Sequence, residues 1–365
     1  MNQDVYRALQ QQMDHYSVGF PQTRSGVEIR ILKKLFAPEE AGLYLDLSLF
    51  LEEADSVAER TGRDPGQTKN MLSRMADKGL IFRLRRNNTV RYAAVPFVVG
   101  SYEFQLGNMD KELAGMVEQY FEEAFVPSLG KIATLPMRTI PVNKAVSVTH
   151  PVAAHDDAKQ ILGSQKKIAL ANCICRTQQR LVEKGCGKPL EVCFIFGSHA
   201  DYFVENGLAR FVTLDEALAA LNAAQEAGLV TQPFNVTNPG GMCNCCGDCC
   251  GVLRSLKLLP NPAQAVLTNY YAECDSSLCS SCGLCAERCQ MDAIVFDGRD
   301  GTARVDLNRC IGCGLCVTGC PEDALSLLPV DSNKRRTPPS GVQELMLKIA
   351  QERGKSLMPL KMQGK

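Results

Sequence analysis

Cys279-Ser280-Ser281-Cys282-Gly283-Leu284-Cys285-Ala286-Glu287-Arg288-Cys289 is matched 31 residues later by Cys310-Ile311-Gly312-Cys313-Gly314-Leu315-Cys316-Val317-Thr318-Gly319-Cys320. Each half reads C-x2-C-x2-C-x3-C, and Pro321 follows the last cysteine. Two residues between cysteines let a tight loop present three sulfurs from one turn of chain. A fourth sulfur for the same small object must come from elsewhere. The surroundings repeat as well: Gly283-Leu284 matches Gly314-Leu315, and Asp292-Ala293-Ile294 matches Asp323-Ala324-Leu325. Ile294-Val295-Phe296 and Ala303-Arg304-Val305 flank Gly298-Arg299-Asp300-Gly301, which reads as a strand, a turn and a returning strand.

This run resembles the ligand pattern of bacterial-type ferredoxins with two [4Fe-4S] clusters, in which the fourth cysteine of each half serves the other cluster. Carried over by position, Cys279, Cys282, Cys285 and Cys320 hold one cluster and Cys310, Cys313, Cys316 and Cys289 the other. One departure is Gln290, where a proline often follows the fourth cysteine. Zinc also takes four thiolates, often as paired C-x2-C units, but two zinc ions do not need triple runs with a trailing x3 cysteine.

Eighteen cysteines in 365 residues, without a basic-then-apolar leader after Met1, argue for metal sites rather than disulfides and for a cytoplasmic protein. So many clustered thiolates suggest an anaerobe. Lys+Arg and Asp+Glu balance at 40 each, so nothing draws the whole chain toward nucleic acid or an acidic membrane. No apolar run approaches the roughly 18 residues of a membrane span.

The expected class is α+β. It comprises an N-terminal helical segment (1–24), a winged-helix-like domain (25–100), a mostly helical cysteine-rich middle domain (101–270), the two-cluster ferredoxin domain (271–330) and a tail (331–365). Helices are predicted from Pro38, over Asp55–Thr61 and from Pro65 to Lys78, then a strand at Leu80–Leu84, a turn and a strand at Thr89–Tyr92. Helix, turn, helix and hairpin resemble a winged helix. Its DNA-facing candidates are Arg83, Arg85 and Arg86 on the wing and Lys69 on the second helix. The competing role is docking or structural. His150 and His155 are isolated and read as ordinary histidines. The tail carries Lys334-Arg335-Arg336 and a short helix from Val342, and reads as a solvated linker.

A second cysteine constellation begins at Cys173-Ile174-Cys175-Arg176, continues with Cys186 and Cys193, and ends in Gly241-Met242-Cys243-Asn244-Cys245-Cys246-Gly247-Asp248-Cys249-Cys250-Gly251. Adjacent pairs such as Cys245-Cys246 cannot both point into one core, and the glycines free the loop to wrap a metal. Between the patches, Thr213-Leu214-Asp215-Glu216 is a capping box that opens a helix ended by Gly228. The nine cysteines are candidate ligands of a further site, an additional [4Fe-4S] cluster or zinc, with the choice of four from nine open. Arg176 and His199 stand close enough in sequence to donate to a cluster sulfur. Cys274 stands apart, before the ferredoxin run.

The combination resembles multidomain ferredoxin-like proteins of anaerobic bacteria and archaea, marked by a winged-helix-like N-terminus, C-I-C-R, C-N-C-C-G-x-C-C and a C-terminal dicluster domain. The resemblance implies iron–sulfur electron transfer with a redox partner protein. A dinucleotide fingerprint is absent. Two other functions compete: a redox-responsive regulator binding DNA through the winged helix, and an enzyme with its site among the nine cysteines. Self-association is left open.

Overall fold

Proline and glycine punctuate the N-terminal half as the pattern demands. The computed structural model describes residues 4–145, 153–296 and 301–362. Val27–Leu35, Pro38–Tyr44, Ala54–Thr61 and Pro65–Asp77 are helices. Pro38 and Pro65 occupy first helical positions, where a missing N–H is no loss. The Gln67 N–H donates to the Asp64 carboxylate at 2.8 Å, and Gly62 closes the third helix at φ 68°. Three short strands belong to the same region: β1 (Glu52–Glu53), between the second and third of these helices, then β2 (Phe82–Arg86) and β3 (Thr89–Ala93), in the order β1-β3-β2. The first strand of the hairpin starts later than the pattern predicts. Leu80 and Ile81 are buried in the core, and pairing begins at Phe82.

The middle region is not mostly helical. β4 (Ile168–Asn172), β5 (Glu191–Phe196), β6 (Ala209–Phe211), β7 (Val230–Pro233) and β8 (Gly241–Cys245) form an antiparallel sheet in the order β6-β4-β5-β8-β7. Both faces are covered, so Ile168-Ala169-Leu170-Ala171 and Val192-Cys193-Phe194 are continuous apolar runs. Periodicity cannot distinguish such runs from buried helix. On one face Leu170, Phe194, Phe196 and Met242 pack on the helices Ala158–Gly163 and Leu214–Glu226. On the other, Ala171, Cys193 and Cys245 join the main core. Strand alternation therefore assigns cysteine to one face and large apolar side chains to its opposite.

In the C-terminal region β9 (Tyr270–Cys274) pairs with β12 (Leu325–Pro329), and β10 (Ile294–Phe296) with β11 (Ala303–Val305). The glycine-containing turn read between β10 and β11 lies largely outside the described residues, as does His150. Gly312, at φ +67°, passes so close to β9 that a Cβ would stand 2.1 Å from the Tyr270 carbonyl oxygen. Gly312→Ala combines overpacking, about 1–3 kcal/mol, with a left-handed backbone costing a further ~1 kcal/mol. The expected result is a lower thermal unfolding midpoint and incomplete iron loading, read by anaerobic unfolding and iron assay.

The tail is not a solvated linker. Its helix Val342–Glu352 buries Leu345 and Ile349, one turn apart, in the main core. Arg353 donates to the Asp14 and Ser17 carbonyls at 2.7 and 3.1 Å, the Thr134 N–H donates to Glu352 at 2.8 Å, and the Leu360 N–H donates to Gln12 at 2.9 Å. No helix among the described residues is long and apolar enough to cross a membrane.

Candidate metal centres

The ferredoxin-type run surrounds two cavities. One is bounded by Cys279, Cys282, Cys285 and Cys320, the other by Cys289, Cys310, Cys313 and Cys316. Each thus draws three cysteines from one half of the repeat and the last from the other. Backbone N–H groups point at sulfur: Ala303 to Cys279 at 3.4 Å, Ala293 to Cys289 at 3.2 Å and Ala272 to Cys310 at 3.5 Å. Such donors tune a cluster's potential. Burial pushes the Cys310, Cys313 and Cys316 thiols up, Cys313 to about 12. Left bare they would stay protonated, so the donor set fits a cationic metal centre that holds them as thiolates. Cys274 does not stand apart: it lines the first cavity beside Cys279, and burial followed by that neighbour pushes its thiol up to about 11.

The two cavities differ in surroundings. Cys282 is exposed, and Leu278 and Leu284 are 53 % and 42 % exposed beside it. The second cavity faces inward. There the Gly247 N–H donates to Gln290 Oε1 at 2.8 Å, and a Cβ on Gly247 would meet the Gln290 carbonyl oxygen at 2.5 Å. Gln290 is the residue that replaced the usual proline; it joins the loop after Cys289 to the Cys243–Cys250 loop.

The nine middle-domain cysteines divide into two groups. Six form a closed ring in which each thiol interacts with two neighbours, in the order Cys173, Cys175, Cys250, Cys245, Cys243, Cys193 and back to Cys173. Local structure explains each position. Cys243 and Cys245 are two apart on β8 and share a face. The Phe194–Met242 pair of the β5–β8 ladder brings Cys193 beside Cys243. Cys173 is the N-cap of the helix Ile174–Leu181, and Cys250 that of the helix Gly251–Leu258. Two helix N-termini therefore face the ring, an arrangement that favours thiolate. Cys173 and Cys250 are held well below the ordinary thiol range, first by hydrogen bonds from their ring neighbours, and Cys243 is lowered to about 5 in the same way.

Cys186, Cys246 and Cys249 form the second group. Cys186 Sγ lies 3.6 Å from Cys246 Sγ and 3.8 Å from Cys249 Sγ. Their ligand atoms and an oxygen of Asp248 all lie within 4.8 Å of one another. Arg176 is buried between the groups. Both terminal nitrogens donate to the Asn244 carbonyl at 3.1 Å, and Nη1 lies 3.7 Å from Cys246 Sγ. Its Nε has no hydrogen-bond partner among the described residues.

The ring opens onto a cavity of about 140 Å³ with mostly apolar walls, including Val98, Phe104, Phe121, Phe203 and Met242. That is close to the ~150 Å³ of a cavity able to hold benzene. Tyr102, Glu103 and His199 bring the polar groups. The buried Tyr102 hydroxyl lies beside the Cys175 thiol, and burial first, then that thiol, push it well above the ordinary phenol range. Burial raises Glu103 to about 7 and lowers His199, which stacks on Phe82 at 4.8 Å. Val99 in the wall holds φ 59°, a strained conformation for a β-branched residue. Six clustered sulfurs, with the Arg176 Nε beside them lacking a partner among the described residues, fit a ring built around a group with acceptor atoms of its own. Tyr102, Glu103 and Asp248 carried no sequence signal except that Asp248 lies inside the cysteine loop.

The residues offered for DNA contact fare unevenly. Arg83 does not face solvent: it is 5 % exposed, and Asp77 and Glu205 hold its guanidinium. Arg85 is tied to Glu205 at 3.2 Å. Arg86 and Lys69 are exposed. The β2–β3 hairpin thus packs against the helix Gly197–Glu205, whose Tyr202 hydroxyl lies 2.8 and 3.1 Å from the Ala76 and Ile81 carbonyls.

Residues 278–337 match the protein family described as 4Fe-4S dicluster domain. Comparison with curated proteins and with solved structures gives no match. The C-terminal region is therefore a ferredoxin-type, iron–sulfur module that supports an electron-transfer role, and the match covers that region alone.

Proposed function

We propose that the chain passes single electrons between an external redox partner and a further iron–sulfur centre held by the six-thiol ring. When bound, a [4Fe-4S] cluster takes up and releases one electron at a time. Cys279, Cys282, Cys285 and Cys320 would hold the outward cluster, beside exposed Leu278 and Leu284, where a partner protein docks. Cys289, Cys310, Cys313 and Cys316 would hold the inward one. The observation that carries this reading is the Gly247–Gln290 contact. It sets the residue after Cys289 directly against the loop that supplies Cys243, Cys245 and Cys250.

The test is anaerobic iron and sulfide analysis with EPR. Two four-iron clusters account for about eight iron atoms; the reading expects more, with an additional EPR signal. Eight iron and no further signal would sink it. Gly247→Val fills the space at Gln290 and weakens the contact by about 1–3 kcal/mol. Iron content should hold, while electron transfer from the dicluster domain to the middle centre slows in stopped-flow traces.

A second reading rests on the apolar cavity: a small uncharged molecule reaching the ring would make the protein an enzyme. Substrate-sensitive EPR of the ring centre distinguishes it. We read the region 25–100 as a winged-helix-like domain used for packing, since Arg83 and Arg85 are engaged within the chain. Salt-sensitive DNA binding that changes with redox state would reverse that assignment.

A further inference from the structure

We propose that Cys186, Cys246, Cys249 and Asp248 hold one tetrahedral zinc ion, a structural centre distinct from the six-thiol ring. The distances select one metal atom rather than a cluster. With zinc–sulfur bonds of about 2.3 Å, tetrahedral geometry puts two thiolate ligands about 3.8 Å apart. Cys186 stands 3.6 Å from Cys246 and 3.8 Å from Cys249. A four-iron cluster spreads its thiolates over four metal atoms and needs them wider apart. The fourth donor is already in place, since an Asp248 oxygen lies within 4.8 Å of all three sulfurs. Zinc accepts carboxylate at such a position.

Charge and topology agree. Three thiolates and a carboxylate outweigh a divalent ion, and the Arg176 guanidinium, 3.7 Å from Cys246 Sγ, offsets part of the excess. Cys246, Asp248 and Cys249 come from one turn, while Cys186 comes from a loop 60 residues earlier. A single ion therefore closes a long loop, the situation in which a metal clip contributes most. The flanking Cys245 and Cys250 belong to the ring, so the ion would fix the turn between two ring members.

Anaerobically purified full-length protein is tested by metal analysis and zinc-edge X-ray absorption. The expected result is about one zinc per chain, in addition to iron, with three sulfur neighbours and one oxygen. Cys186→Ser should lose the zinc. Cys193→Ser, in the ring, should keep the zinc and lose iron. Asp248→Ala should keep three sulfurs but weaken zinc against a chelator by at least the ~10–100-fold typical of lost outer-shell partners. No zinc in the wild-type protein overturns the proposal, as does zinc lost with Cys193→Ser but retained with Cys186→Ser. Either failure leaves the iron count and EPR signals of the electron route standing as a separate test.

Discussion

Cys243→Ser is expected to empty the proposed six-thiol centre while leaving the dicluster domain loaded. Iron falls toward the eight atoms of two four-iron clusters, and the additional EPR signal disappears with the dicluster signals intact. The reasoning starts at the strand. β8 gives Cys243 and Cys245 to one face, and the β5 pairing adds Cys193 next to Cys243. Cys243 therefore touches two ring members, one on its own strand and one across the ladder. Serine preserves the size and the strand, so the backbone has no reason to move, but an alcohol does not replace a thiolate toward iron. Retention of all iron and of every EPR signal would remove Cys243 from the ligand set.

Glu118→Ala destabilises the folded protein by about 3–5 kcal/mol, as expected when one member of a buried ion pair is deleted. Arg254 makes a two-pronged contact with this carboxylate at 2.9 and 3.0 Å. Gln178 donates to it at 3.4 Å and Gln179 also donates. Arg254 lies on the helix that begins at Cys250, and Gln178 and Gln179 on the helix that begins at Cys173. One carboxylate thus holds both helices whose N-termini face the ring. Burial alone would raise its pKa; the Arg254 pair overrides burial and lowers it. A carboxylate with a depressed folded pKa contributes stability that is present above the unfolded value of about 4.3 and is lost as pH falls through the folded one. The wild-type protein should therefore lose stability on acidification through this window, and Glu118→Ala should lose less. Anaerobic unfolding midpoints of both proteins from about pH 6 down to about pH 3, a range that crosses the unfolded value and reaches below it, measure the difference. Equal pH dependence would show that the pair is not formed.

The dicluster domain was legible because its spacing is its chemistry: three thiols per turn and a trailing cysteine can serve few purposes. Helix ends in the N-terminal half were legible through Pro38, Pro65 and Gly62, each acting through its own backbone. The middle sheet was not, since a strand covered on both faces shows no alternation. The division of the nine cysteines was hidden for a related reason. Cys245 and Cys246, and again Cys249 and Cys250, are neighbours in sequence that serve different groups in space. No spacing rule separates them without the fold. Gln290 was visible only as a departure from pattern. Its meaning required Gly247, 43 residues away. Arg83 looked like a wing residue ready for phosphate until Glu205, 122 residues away, was placed beside it.

The strap formed by the tail bears on how such a chain can be inherited. Arg353 grips Asp14 and Ser17, Leu360 reaches Gln12, and Ile349 completes a core begun by Leu9 and Met13. The segments at the two ends of the described chain meet in one place, with the cysteine-bearing regions strung between them. A gene cut at a domain boundary would yield pieces that each lack part of a shared interior. Recombination that swaps one domain for another would meet the same obstacle. The ferredoxin-type region is thus separable as a sequence match, while its Ile311, Leu315, Leu325 and Leu327 sit in the same interior as the N-terminal helices.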